Sequence, residues 1–188
     1  MKVAIVFGSV RTARQGHKAA HFIQRHTGQM GWETTLIDPK EYVLPMLDLM
    51  YKEMTDPQPV FKELHNIFNE ADGFILVTAE YNHGIPPALK NILDHYQKEF
   101  FFKPAGIVSY SGGYFGGARA VEQLRSICAE LGMPATPIAY HIPNIATALN
   151  EEGIPADPKA EERVKRFLVE FEWYMKAMKK GREEGTPY

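Results

Sequence analysis

Short apolar runs rich in β-branched residues recur along the chain, separated by longer stretches in which apolar residues return every three or four positions. The runs are Lys2–Phe7, Glu33–Asp38, Gly73–Thr78, Ala105–Tyr110 and roughly Thr136–Ile142. Segments such as VAIVF and FILV are apolar at every position rather than at alternate ones. That pattern predicts strands covered on both faces, as in a parallel sheet flanked by helices.

The stretches between them predict helices. Gln15–Met30 carries Ala19, Ala20 and Ile23 on one face, and Val60–Ala71 carries Phe61, Leu64, Ile67 and Phe68 at helical spacing. Ala88–Tyr96 opens just after Pro86 and Pro87, and Ala118–Leu131 stops before Gly132 and Pro134. A final amphipathic helix, Lys159–Lys180, has Val164, Phe167, Leu168 and Phe171 as its apolar stripe. Five βα units with right-handed crossovers make an α/β fold, a three-layer doubly wound sheet of five parallel strands flanked by helices. One domain is expected over residues 1–180, with 181–188 a flexible tail that frays from Arg182. The proline-rich stretches Pro39–Pro59 and Pro143–Pro158 read as irregular, and loops of that length inside a compact domain are commonly functional or interfacial.

At 188 residues, with 45% hydrophobic and 23% charged residues, the composition suits a globular domain with a real core. The formal charge of −2 argues against nucleic acid or an anionic membrane as an obligatory partner. The single cysteine, Cys128, excludes an internal disulfide and a cysteine-based metal cluster, and its apolar helical surroundings mark it as a packing residue. No apolar run approaches the roughly 18 residues of a membrane helix. The opening MKVAIVFGSV is too short in its apolar part for a signal peptide, so the cytoplasm is the expected compartment.

In an open parallel sheet, ligands bind beyond the carboxyl ends of the strands at the point where strand order reverses. Three loops in those places are distinctive. The first runs from Gly8 through Ser9, Arg11, Arg14 and Gln15 to Gly16. Its small residues, hydroxyl and guanidinium groups, together with the start of the next helix, suit a phosphate. The alternative is a polar turn with solvated arginines. Neither the GxGxxG nor the Walker A lysine pattern is present. The second, Glu80-Tyr81-Asn82-His83-Gly84-Ile85-Pro86-Pro87, combines turn residues with stiffening prolines and makes a wall for a flat heterocycle. His83 reads as a turn residue in preference to an acid or base. The third, Ser111-Gly112-Gly113-Tyr114-Phe115-Gly116-Gly117, exposes a series of backbone N–H groups before a helix and so favours negative charge. Spacing leaves Arg119 open between an electrostatic partner and a solvated residue. Tyr114 and Phe115 are equally open between bordering the site and packing inward.

No nucleophile elbow, metal-spaced cluster or paired carboxylates stand out. No catalytic side chain and no metal ligand are therefore assigned, and a bound cofactor is expected to carry the chemistry.

Together, GSVR at Gly8–Arg11, EYNHGIPPALKNILDH at Glu80–His95 and YSGGYFGGARAVEQLR at Tyr110–Arg125 resemble the NADPH-dependent FMN reductases, a flavodoxin-like family of quinone, azo and chromate reductases. The order and spacing match over roughly residues 2–142, and the second block is the most specific. The resemblance implies that Ser9, Arg11 and Gly16 hold the FMN phosphate. It also implies that Glu80, Tyr81 and Asn82 line the isoalloxazine, and that Ser111, Gly112 and Gly113 close over its pyrimidine side. The implied activity is transfer of hydride from NADPH or NADH through FMN to a quinone, flavin, azo dye or metal oxyanion. A homodimer or homotetramer is implied too, with Pro39–Pro59 and Phe100–Phe102 as candidate contacts. Two positions depart from the family pattern: Arg14 stands where many members have serine, and Ala79 where many have proline. The alternatives in other classes are a flavodoxin-like electron carrier and an FMN-binding regulatory module.

Overall fold

A computed structural model describes all residues, Met1–Tyr188. Strands β1 (Lys2–Phe7), β2 (Glu33–Ile37), β3 (Gly73–Ala79), β4 (Ala105–Tyr110) and β5 (Tyr140–Ile142) form one sheet in the order β2-β1-β3-β4-β5, every pair parallel. This is the order expected of a flavodoxin-like sheet, with the reversal between β1 and β3. Helices α1 (Gly16–Gln29) and α6 (Lys159–Glu184) cover one face, and α2 (Pro59–Glu70), α3 (Pro87–Asp94) and α4 (Ala118–Glu130) the other. A short helix, α5 (Ile145–Ala148), follows β5.

The continuous apolar runs are explained by the two cores. Along β1, Val3, Ile5 and Phe7 pack toward α1 and α6, while Ala4 and Val6 pack toward α2 and α3. The cores hold 22 and 20 buried residues, so neither face of the sheet is left to solvent. Cys128 is fully buried in the second, and burial pushes its thiol up to about 12, which leaves it unreactive at neutral pH. No helix is long and apolar enough to cross a membrane.

Several boundaries differ from the sequence reading for identifiable reasons. The strand expected over Thr136–Ile142 forms a continuous ladder only from Tyr140, although the Thr136 N–H reaches the Ala105 carbonyl at 2.9 Å beside an isolated Ala105–Ala135 bridge. Pro134 and Pro137 have no N–H to give a ladder, and Arg125 takes the carbonyls of Thr136 and Pro137 at 3.0 and 2.8 Å. The last helix does not end at Lys180 but runs to Glu184. Arg182, where fraying was expected, donates to the Phe102 carbonyl at 2.7 Å and faces Asp72 at 3.6 Å. The aromatic run Phe100–Phe102 is not an exposed patch: Phe100 is fully buried, and Phe101 and Phe102 are half-buried under the ring of Tyr188.

Lys103 is the most telling buried charge. Its ammonium donates to the carbonyls of Phe68 and Asn69 at 2.7 and 2.8 Å, closing the carboxyl end of α2. Burial lowers its pKa to about 8 from 10.5. Between those values the unfolded chain binds more protons than the folded one, so this group makes the fold more stable as pH rises. Urea unfolding should therefore show about 1–2 kcal/mol more stability at pH 9.5 than at pH 8, relative to the same comparison in Lys103→Met.

Candidate functional site

The three loops converge at the β1/β3 reversal. They surround a cleft of about 210 Å³ lined by Ser9, Arg11, Ala13, Arg14, Gln15, Ala79, Glu80, Tyr81, Tyr110, Ser111, Gly112, Ile145 and Ala146.

The first loop is held from below. Gly8 bonds back to β3 through the Val77 carbonyl at 3.1 Å, and the Ser9 hydroxyl is 2.7 Å from the Tyr81 hydroxyl, tying the first loop to the second. The backbone N–H groups from Ser9 to Ala13 donate to nothing within the protein. Arg11 projects outward, has no carboxylate partner, and lies 5.9 Å from the centre of the Tyr81 ring. Arg14 behaves differently. Its terminal nitrogens bond to both Asp38 oxygens at 2.6 and 2.5 Å and to the Ser9 carbonyl at 2.8 Å. The second arginine of the loop is thus a brace between the loop and the end of β2. Burial pushes the Asp38 carboxyl up, but the bonds from Arg14 and the Lys40 N–H outweigh it and hold its pKa below the usual range. Gln15 is the residue just before α1. Gly16 lies behind the cleft wall, where a Cβ would stand 2.0 Å from the Tyr110 hydroxyl oxygen.

The second loop is a tight hairpin. Tyr81 and Gly84 exchange backbone bonds of 2.9 and 3.0 Å across Asn82 and His83, which sit at φ of 50° and 67°. Positive φ at both central residues defines a type I′ turn, normally built with glycine at the second. His83 is therefore a strained turn residue, and both it and Asn82 are exposed and outside the cleft lining. Helix α4 clamps this loop at two points. The Glu80 carboxylate accepts the Arg119 N–H at 3.1 Å at the positive end of α4, and Gln123 Oε1 accepts the Ile85 N–H at 2.8 Å. Arg119 also reaches Glu80 with its guanidinium at 3.4 Å, so it is the electrostatic partner of Glu80.

In the third loop, the backbone N–H groups from Gly112 to Gly117 have no partner within the protein. A Cβ at Gly112 or Gly113 would meet no atom within 4 Å, so nothing in the protein itself requires glycine there. Tyr114 and Phe115 are 82% and 63% exposed, so neither packs inward.

Thus Ser9, Arg11, Arg14, Gln15, Glu80, Tyr81, Ser111 and Gly112 come together, whereas Gly16, Asn82, His83 and Gly113 stand off the wall. Sequence reasoning missed Ile145 and Ala146, which arrive because the Asn144 and Ile145 N–H groups bond to Gly113 and Ser111. It also missed Tyr110 as a lining residue. Its hydroxyl is buried beside that of Ser9 and makes no hydrogen bond of ordinary geometry. No group of three or more His, Cys, Asp or Glu is placed to hold a metal ion.

Comparison with known proteins adds independent findings. A family model described as NADPH-dependent FMN reductase matches residues 1–147. An NAD(P)H-dependent FMN reductase of Schizosaccharomyces pombe is 31% identical over 147 residues, covering 72% of this chain and 70% of that protein. A 2-hydroxy-1,4-benzoquinone reductase of Burkholderia sp. is 30% identical over 185 residues, covering 91% and 92%. Among solved structures, the flavoenzyme NAD(P)H:(acceptor) oxidoreductase FerB of Paracoccus denitrificans aligns over 95% of this chain and 97% of its own, with a TM-score of 0.73 and 23% identity.

Proposed function

The chain belongs to the NADPH-dependent FMN reductase family, and from that premise we propose that FMN occupies the cleft between the three loops, its phosphate on Ser9–Gly16 and its ring between Glu80–Tyr81 and Ser111–Gly113. As a member, the protein is an FMN-dependent NAD(P)H oxidoreductase, an enzyme in preference to an electron carrier or a regulatory module.

The observation that carries the placement is the set of unpartnered N–H groups from Ser9 to Ala13 beside the unpaired Arg11, at the sheet's reversal point. The residues present fit the cofactor. Free donors and a helix start await an anion at one end of the cleft, and free glycine N–H groups await carbonyl oxygens at the other.

When bound, FMN supplies the redox chemistry, accepting two electrons from NAD(P)H and passing them to an oxidised acceptor. The chain does the rest. Arg11 and the loop N–H groups balance and orient the phosphate, while Arg14 keeps the loop in shape through Asp38. The N–H groups of Gly112–Gly117 supply positive potential where reduction places negative charge. Tyr114 and Phe115 border a mouth left open to flat reactants. The acceptors we propose are quinones, free flavins, azo dyes and metal oxyanions, with the benzoquinone-reducing relative supporting the first. No side chain in the cleft is assigned an acid–base step.

We also read the protein as a cytoplasmic homodimer or homotetramer. Val43, Met46, Leu47 and Leu49 are exposed on a loop whose backbone is fixed by Asn91 through the Leu47 N–H and the Pro45 carbonyl. Rigidly displayed apolar side chains of this kind suit a second copy.

Steady-state oxidation of NADPH with 1,4-benzoquinone tests the activity. Parallel double-reciprocal lines are expected, since each reactant uses the same open mouth in turn; no turnover with any quinone, flavin or azo dye would contradict it. A narrower test is Gly112→Ala. The flavin-free protein should melt within about 0.5 kcal/mol of wild type, because the new methyl meets no atom. FMN affinity should fall severalfold, measured by quenching of flavin fluorescence.

A further inference from the structure

We infer that the Tyr110 hydroxyl donates a hydrogen bond directly to the phosphate at the start of α1, and that it contributes to the protein's distinction between FMN and riboflavin. The inference rests on the FMN reading above and adds a residue to it.

Tyr110 is the last residue of β4, on the side of the sheet covered by α1. Its ring lies 6.5 Å from that of Phe7 and reaches across to the first turn of α1, close against the backbone of Gly16. The residue is 5% exposed and lines the cleft, and its hydroxyl, beside the Ser9 hydroxyl that Tyr81 already engages, makes no hydrogen bond of ordinary geometry. A buried hydroxyl left unbonded is destabilising and calls for an explanation.

The neighbours make the missing partner specific. The Ser9 hydroxyl is shared with Tyr81, and the terminal nitrogens of Arg14 are committed to Asp38 and the Ser9 carbonyl. This corner also presents free donors: the N–H groups of Ser9–Ala13, the amino end of α1 and the Arg11 guanidinium. A hydroxyl set among donors and positive dipoles lacks an acceptor, and an acceptor-only anion satisfies all of these groups together. A phosphate monoester is such an anion. Burial also raises the pKa of the Tyr110 phenol, so it keeps its proton to donate throughout the neutral range. Riboflavin, which ends in a neutral hydroxyl, would leave the donor set largely unmet.

The test compares FMN and riboflavin binding to flavin-free wild type and Tyr110→Phe, by fluorescence quenching. The proposal expects Tyr110→Phe to weaken FMN roughly 10- to 100-fold, the range for one hydrogen bond to a charged group. Riboflavin affinity should stay within about twofold, and the flavin-free variant should melt no lower than wild type, since the deleted hydroxyl makes no hydrogen bond of ordinary geometry. Equal weakening of both flavins, or of neither, overturns the role assigned to Tyr110. A wild-type protein that binds both flavins equally well, or neither, overturns the underlying phosphate site as well, and is read from the wild-type measurements alone.

Discussion

Gly16→Ala is expected to destabilise the fold by about 2–3 kcal/mol, although alanine is the better helix former by about 1 kcal/mol. The glycine opens α1 at an ordinary negative φ, so backbone freedom is not what it supplies. Space decides the sign. A Cβ there would stand 2.0 and 2.2 Å from Tyr110 Oη and Cζ and 2.5 Å from Phe7 Cε2, all on rigid buried rings. Either the rings or the start of α1 must move, and Tyr110 and Gln15 carry that movement into the cleft lining. The melting temperature should fall by roughly 5–10 °C for a chain of this size. Tyr110→Leu should suppress much of that loss, with a coupling of at least about 1 kcal/mol in the double-mutant cycle. Additive losses in the two variants would show that the glycine is needed for another reason.

Asp38→Asn is the second large effect, about 2–4 kcal/mol, because it leaves a largely buried guanidinium without its counter-charge. Arg14 and Asp38 are 15% and 11% exposed at their side chains, so solvent replaces little of what is lost. The same change should weaken FMN, since Arg14 is what holds the Ser9 carbonyl and shapes the loop. The pH dependence has a definite sign. The folded-state pKa of Asp38 is depressed, so its contribution is complete above the ordinary carboxylate pKa and fades as pH falls through the lower folded value. Wild type should therefore lose stability in acid more steeply than Asp38→Asn, as followed by urea unfolding between pH 6 and about 3.

How much of this is legible from the chain varies by element. The runs VAIVF and FILV announce buried parallel strands because every position is apolar, and both lie where expected. The three loops are legible for a related reason: glycine, proline, asparagine and arginine mark turns and ligand donors by their own chemistry. What the pattern does not carry is partnership over distance. Arg11 and Arg14 look alike in sequence, yet one is unpaired and the other is bound to Asp38, 24 positions away. Tyr110 reads as the end of a strand, and only the approach of α1 reveals its unbonded hydroxyl. Pro137–Ala139 looks extended, but the Pro137 carbonyl goes to Arg125 and the Ile138 N–H to Glu170, so the ladder is interrupted there. Arg182 looks like the start of a frayed end until Asp72 and the Phe102 carbonyl, which lie far back in the chain, are placed beside it.

The central claim is that one cleft, built by the loops after β1, β3 and β4, holds FMN within reach of NAD(P)H. The most direct measurement is an absorbance spectrum of the purified protein with FMN, followed by anaerobic addition of NADPH. A protein-bound flavin spectrum that bleaches in a single step, without a long-wavelength band growing in, is the predicted result. Bound flavin that NADPH leaves oxidised would contradict the account of the open mouth, and a protein that retains no flavin would contradict the site itself.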